Sequence, residues 1–245
     1  MHLADHCNLG CKGCSHFSPF ADKVLADIDQ YTKDIRQLRR LVTNIRKIRL
    51  LGGEPLLHPN IAAFITTTRK YFPDSDIQVV SNGILLSTMK EEFWQACQQA
   101  KVTVELSIAP PFYEKQEMWT AMVKSHKLRV IAFRKKDFND FIDVKGSSEE
   151  KENFKQCRKR MAIELGTSIL PMLKEGKIYN CFIPAYIHYF NKKYAANIPN
   201  VEFINIHDPH VDGWDILKQI DTSTQTCKYC TSGWKEVPTF PWAQE

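Results

Sequence analysis

Between residues 24 and 133 short apolar runs alternate with longer amphipathic stretches, and this alternation limits the fold more than any other property of the chain. Residues 24–47 place Leu25, Ile28, Ile35, Leu38, Leu41 and Ile45 at helical spacing, with acids early and bases late, as suits an amphipathic helix and its dipole. The run Ile48-Arg49-Leu50-Leu51 then reads as a buried strand. The pair of signals recurs as helix 60–71 and strand 77–81, helix 88–100 and strand 102–107, helix 115–125 and strand 128–133. Strands separated by helices build parallel βαβ units with right-handed crossovers, giving an α/β fold. With His2-Leu3-Ala4 as a shortened first strand the count reaches five by Phe133, and Phe141 to Val144 offers a sixth. In such folds ligands bind at the carboxyl ends of the strands.

Chemistry enters at the start of the chain, where Cys7, Cys11 and Cys14 stand in a C-x3-C-x2-C pattern. Soft thiolates select iron-sulfur clusters, zinc or copper(I). Zinc sites favour paired C-x2-C knuckles with a fourth ligand at a set distance, and His16 lies only two residues beyond Cys14, too close to swing round. The triplet suits three corners of a four-iron cluster with the fourth iron open, which makes the cluster reactive; a cluster ligated by cysteine at every corner is an electron carrier. One helix later, Gly52-Gly53-Glu54-Pro55 follows the strand at 48–51. Glycines let a backbone approach a ligand closely, and a carboxylate suits a cation. Alone, this is an ordinary strand-to-helix turn; after the cysteine triplet it gains meaning.

Together these two elements resemble the signature of the radical S-adenosylmethionine (radical SAM) superfamily. The resemblance implies a partial (β/α)6 radical SAM barrel and a 4Fe-4S cluster on Cys7, Cys11 and Cys14, whose open iron binds the amino and carboxylate groups of SAM. It implies that Gly52, Gly53 and Glu54 anchor the methionine end. Ser81, Asn82 and Ser107, at strand ends, are candidates for the ribose or carboxylate, or else cap their turns. Gly13 stands where an aromatic commonly borders the adenine, and Phe17 is the candidate to replace that wall. The implied chemistry is one-electron cleavage of SAM to methionine and a 5′-deoxyadenosyl radical that abstracts hydrogen from substrate, fed by a flavodoxin- or ferredoxin-like donor. It also implies sensitivity to oxygen. No side chain is singled out as catalytic.

Beyond Lys145 the polar stretch 146–151 suggests a boundary between domains 1–145 and 146–245. Residues 169–173 and 178–182 read as a hairpin with Cys181 on its second strand, followed by helix 185–194, an extended run 201–206 and helix 213–220. Spacing alone would give Cys157, Cys181, Cys227 and Cys230 a structural zinc. The segment resembles the SPASM or twitch extensions of radical SAM enzymes, however, which implies a second, auxiliary 4Fe-4S cluster in the shorter one-cluster form. Cys97 reads as a buried small residue, His207-Asp208-Pro209-His210 as a polar loop or a metal site, and Trp234, Phe240 and Trp242 as packing back on the core.

No apolar stretch approaches the length of a membrane span, no secretion signal opens the sequence, and eight cysteines then point to a reducing compartment, the cytoplasm. A net charge of +5, with bases scattered along helices, gives a solvated surface or a face for an acidic electron donor. The aromatic interleaving of a nucleic-acid platform is absent. The substrate expected is a small polar metabolite or sugar derivative, since no peptide-recognition domain is expected before Cys7. The alternatives are a peptide-modifying maturase, and a non-enzymatic zinc or Fe-S scaffold. Oxidation, epimerisation and dehydration all remain open as outcomes.

Overall fold

Asp27 starts the first helix: its carboxylate accepts the Gln30 backbone N–H at 2.8 Å, so α1 runs Ile28–Leu41 rather than over the whole amphipathic stretch 24–47. At the other end the β-branched Val42 is already extended, with φ −132° and ψ 113°. The computed structural model describes residues 1–136, 138–157, 171–200, 202–233, 237 and 239–245. They form two compact units, Met1–Leu9 with Asp22–Lys136 and Gly10–Ala21 with Asp137–Glu245. The polar stretch 146–151 falls inside the second unit.

In the first unit α1 leads to β1 (Lys47–Leu50), α2 (Ile61–Tyr71), β2 (Asp76–Ser81), α3 (Glu91–Gln99), β3 (Thr103–Ile108), α4 (Gln116–Ser125) and β4 (Arg129–Arg134). The four strands make one parallel sheet in the order β1-β2-β3-β4, registered at Leu50 with Val79, Val79 with Val104, and Leu106 with Ala132. Ile48, Leu50, Ile77, Val79, Val104, Leu106 and Ile108 are buried and join Ile35, Phe64, Ile65 and Phe93 in the core. Side chains alternate along a strand, so Arg49, Gln78, Glu105 and Ser107 point to the opposite face, where Arg49 pairs with Glu105. The α/β partial-barrel reading thus stands, with an open sheet among the described residues.

The strand count is smaller than expected. His2 contributes a single parallel bridge to Leu51, with Leu3 N–H donating to the Leu51 carbonyl at 2.7 Å, not a full strand. The expected sixth strand at 141–144 does not join the sheet. A parallel neighbour needs a crossover of a dozen or so residues, and only a few separate β4 from β5 (Phe138–Asn139). Instead β5 pairs antiparallel with β9 (Thr239–Phe240), and Ile142 bridges Cys230, both within the second unit.

That unit adds α5 (Glu150–Lys155), β6 (Met172–Lys174), β7 (Lys177–Tyr179), α6 (Phe182–Tyr194), β8 (Ile204–Asn205) and α7 (Gly213–Ile220). The expected hairpin is present: β6 pairs antiparallel with β7 around Glu175 and Gly176, both at positive φ (49° and 73°) as a type I′ turn requires. Expected strand positions 169 and 170 lie outside the described residues, as do Trp234 and position 201. Cys181 is not on the second strand. That strand ends at Tyr179, and Cys181 is the N-cap of α6, because Pro184 can neither donate to a ladder nor sit beyond a helix's first turn. No described helix is long and apolar enough to cross a membrane.

Candidate functional site

At the carboxyl end of β1 the two glycines make room for the segment that carries the first cysteine. A Cβ on Gly52 would stand 2.2 Å from the Ala4 carbonyl oxygen, and one on Gly53 would stand 2.3 Å from that of His6. Two hydrogen bonds lock the approach, Gly53 N–H to Ala4 O at 2.9 Å and Glu54 N–H to His6 O at 3.1 Å. Cys7 is thereby fixed beside the turn.

Glu54 is fully buried, at 0% exposure. Its Oε1 accepts from Ser81 Oγ–H (2.8 Å) and Leu56 N–H (3.1 Å), and its Oε2 accepts from Asn82 N–H (2.8 Å). Three of a carboxylate's four acceptor positions are filled, leaving one on Oε2. The Asn82 side chain reaches on to Asn8 Oδ1 at 2.7 Å and to the Cys7 sulfur at 3.7 Å, and Leu9 N–H donates to that sulfur at 3.3 Å. The ends of β1 and β2 therefore form one connected network from Ser81 through Glu54 and Asn82 to Cys7. Ser107 lies on β3 opposite Phe133 and is not part of it.

Burial pushes the Glu54 carboxyl up to about 7, against the pull of its hydrogen bonds from Asn82, Leu56 and Ser81. The folded value lies above the unfolded one of 4.5, so folding favours the neutral form; that stability is complete below about pH 4.5 and lost as pH rises through about 7. Urea unfolding of metal-free protein between roughly pH 5 and pH 8 is expected to lose about 3 kcal/mol from this group, and Glu54→Gln to flatten that part of the profile. Equal slopes for the two proteins would show that the carboxyl titrates normally.

The other two cysteines of the triplet belong to the second unit. Cys11 bridges Gln244 antiparallel, and the Trp242 indole N–H donates to its sulfur at 3.2 Å. Cys14 heads a tight turn in which Phe17 N–H donates to the Cys14 carbonyl at 3.0 Å. Phe17 takes a left-handed backbone (φ 56°), is 3% exposed, and packs 5.7 Å from the Phe190 ring. His16 stacks on Phe182 at 4.6 Å. Cys14 and Phe17 line a cavity of about 900 Å³ whose wall also includes Phe190, Tyr194 and Tyr229.

Among the late cysteines, Cys227 accepts from Thr224 N–H at 3.5 Å, and Ser232 N–H donates to Cys230 at 3.3 Å. Burial pushes the Cys227 thiol up to about 11, opposed by Thr224 and reinforced by Cys230 and Cys157, which are near enough to act on it. The loop is held from α5, where the Asn153 side-chain amide donates to the carbonyls of Cys227 (2.5 Å) and Cys230 (2.6 Å). Cys181 sits on its own element at the head of α6. Cys97 is buried at 0% exposure in α3, and burial raises its thiol well above the usual range, as fits a core residue. His207 and His210 lie in an exposed turn closed by the side chains of Asn205 and Asp208.

Among the described residues no group of three or more Cys, His, Asp or Glu side chains converges closely enough to hold a metal ion as placed. The triplet is divided between the units, Cys7 in the first and Cys11 and Cys14 in the second, so each unit displays only its own share. The donor chemistry suits an iron-sulfur cluster nonetheless. Cys7, Cys11, Cys227 and Cys230 each receive an N–H, the kind of hydrogen bond that stabilises thiolate ligands. Sequence reasoning missed Trp242 and Asn153 as supporting residues. Neither carries a local motif.

Comparison with known proteins gives a consistent picture. A family model described as the Radical SAM superfamily matches residues 1–144. Among curated relatives, the GTP 3′,8-cyclase of Microcystis aeruginosa (strain NIES-843 / IAM M-2473) is 31% identical over 125 residues, 47% of this chain and 36% of the relative. That of Nautilia profundicola (strain ATCC BAA-1463 / DSM 18972 / AmH) is 34% identical over 87 residues, 35% of this chain and 27% of the relative. The chain thus spans about a third of the length of these relatives. Among solved structures, native anSMEcpe with bound AdoMet shares the fold at a TM-score of 0.54 and 13% identity, covering 96% of this chain and 83% of that one. More than half of the sequence matches the family model, on a parallel α/β sheet whose first strand ends in the Gly-Gly-Glu turn: the chain belongs to the radical SAM superfamily of enzymes.

Proposed function

We propose that the chain binds a 4Fe-4S cluster through Cys7, Cys11 and Cys14, binds SAM on the iron those residues leave open, and uses it to abstract hydrogen from a small polar substrate. The bound pair supplies the hard step, one-electron cleavage of the sulfonium to a 5′-deoxyadenosyl radical. The observation that carries the reading is the hydrogen-bond network joining Cys7 to the buried Glu54 through Asn82, because it ties a cluster cysteine to the carboxylate best placed for an ammonium group. The remaining acceptor position on Oε2 suits such a group, and a cation there would lower the carboxyl from about 7.

The late cysteines, in this reading, hold an auxiliary 4Fe-4S cluster. Cys230 and Cys157 each lie near enough to Cys227 to act on its thiol, and the N–H donors on the Cys227 and Cys230 sulfurs also support it. A cluster fully ligated by thiolate serves electron transfer or structure. Cysteines that serve as cluster ligands suit a reducing compartment such as the cytoplasm, where a flavodoxin- or ferredoxin-like donor would deliver the electron.

The cavity beside Cys14 bears on the substrate. Its volume suits a metabolite-sized ligand, and Phe190 and Tyr194 on its wall are aromatic partners for a ring. Lys12 is the one basic side chain on its wall among the described residues, and Asp140 and Glu245 share that wall. A triphosphate wants a cluster of bases, so the nucleotide named for the curated relatives fits poorly, and a neutral or amine-bearing ring fits better.

Anaerobic reconstitution followed by incubation with dithionite and SAM tests the proposal. About eight irons per chain and release of 5′-deoxyadenosine are expected, with Cys11→Ala lowering that release by a hundredfold or more. Zinc without iron would support a binding scaffold, and undiminished product from Cys11→Ala would refute the site.

A further inference from the structure

We infer that Trp242 tunes the reduction potential of the cluster bound through Cys11, by donating its indole N–H to the cluster-bound sulfur; the inference rests on the cluster reading above. Two stretches 231 positions apart in the chain are brought side by side for this contact. Glu245 N–H donates to the Gly10 carbonyl at 2.7 Å, Lys12 N–H donates to the Ala243 carbonyl at 2.8 Å, and Cys11 pairs with Gln244 between them. One strand-length earlier β9 is held by β5, and the Phe240 ring occupies the space a side chain at Gly13 would need, 2.7 Å from its Cβ position. The segment is therefore pinned on both sides of Cys11. Its register delivers the indole nitrogen to the sulfur at 3.2 Å.

An indole N–H can only donate, and a neutral thiol is a weak acceptor. A thiolate bound to iron carries negative charge and accepts far better, so the contact gains strength when the cluster is in place. Reduction adds one more negative charge to the cluster. A donor aimed at a ligating sulfur stabilises that charge and raises the potential, easing electron entry from a weak reductant. Trp242 acts through Cys11 and is a positioning residue, not a catalytic one.

Trp242→Phe keeps most of the ring and removes the N–H. After anaerobic reconstitution, EPR-monitored redox titration should follow the cluster whose signal changes when SAM is added. Unchanged iron content is expected, with the reduction equilibrium weakened on the order of tenfold, about 59 mV more negative for a one-electron couple. Trp242→His, which restores a ring N–H, is expected to recover part of the shift. A companion measurement leaves the chain unsubstituted: 5-fluorotryptophan, a more acidic donor, should raise the potential of wild-type protein and leave that of Trp242→Phe unmoved. If Trp242→Phe does not hold iron, the fluorinated wild type decides. A potential indifferent to both changes in iron-loaded protein overturns the inference alone, whereas wild-type protein that takes up no iron overturns the cluster reading.

Discussion

Gly53→Ala is expected to destabilise the protein by about 3 kcal/mol or more and to abolish SAM-dependent activity, although it adds a single methyl group. The new Cβ would stand 2.3 Å from the His6 carbonyl oxygen, 2.4 Å from its carbon and 2.8 Å from the Asp5 oxygen. These are backbone atoms of a segment held by Gly53 N–H on the Ala4 carbonyl and Glu54 N–H on the His6 carbonyl, so no side chain can rotate aside. Segment 4–6 must retreat, taking Cys7 with it and breaking the link from Asn82 to its sulfur. Gly10→Ala is the matched control. It lies next to Cys11, yet its Cβ would meet nothing nearer than 4.0 Å. Urea unfolding and iron content should separate the two, and a Gly53→Ala protein as stable and iron-rich as Gly10→Ala would show that the close approach is not obligatory.

The second large effect is expected at Asn153. Its amide donates to two carbonyls of the Cys227–Cys230 loop, and its own backbone and side chain fill the space against Gly233. Asn153→Leu preserves volume, leaves the Cys230 carbonyl without this donor and leaves the Cys227 carbonyl with the Cys230 N–H alone, at a cost of about 1–3 kcal/mol. Iron is expected to fall by about four per chain while the SAM-responsive EPR signal persists, since the first cluster draws on none of these residues. Loss of the SAM-responsive signal instead, with the other retained, would contradict the assignment of the late cysteines. Unchanged iron would show that the loop holds its shape without α5.

Much of the first unit was legible because its signals are local. Alternation of apolar runs with helical stretches gave β1 to β4 and their helices, and the Gly-Gly-Glu turn announced itself by spelling. The missed features depend on distant partners or on one overriding residue. Cys181 reads as a strand residue because Ile178 to Phe182 follows the turn Lys174-Glu175-Gly176-Lys177 as the second arm of a hairpin, and Pro184 decides otherwise by suiting only the opening turn of a helix. Phe141 to Val144 has strand composition, but too little chain precedes it to cross the sheet. Asn153 meets its cysteine carbonyls across 74 and 77 positions, and nothing in an Asn flanked by Glu and Phe foretells that.

Among the described residues strand β4 ends the four-stranded sheet, with Ile131 and Phe133 exposed. Such a margin invites another copy to add on, and the sequence places a deterrent there. Arg129 and Arg134 bracket the apolar pair, so two copies meeting head to tail would bring guanidinium against guanidinium. Like charge at each end of the seam makes self-templating unfavourable, and concentrated salt, which screens those charges, is the condition under which this guard weakens.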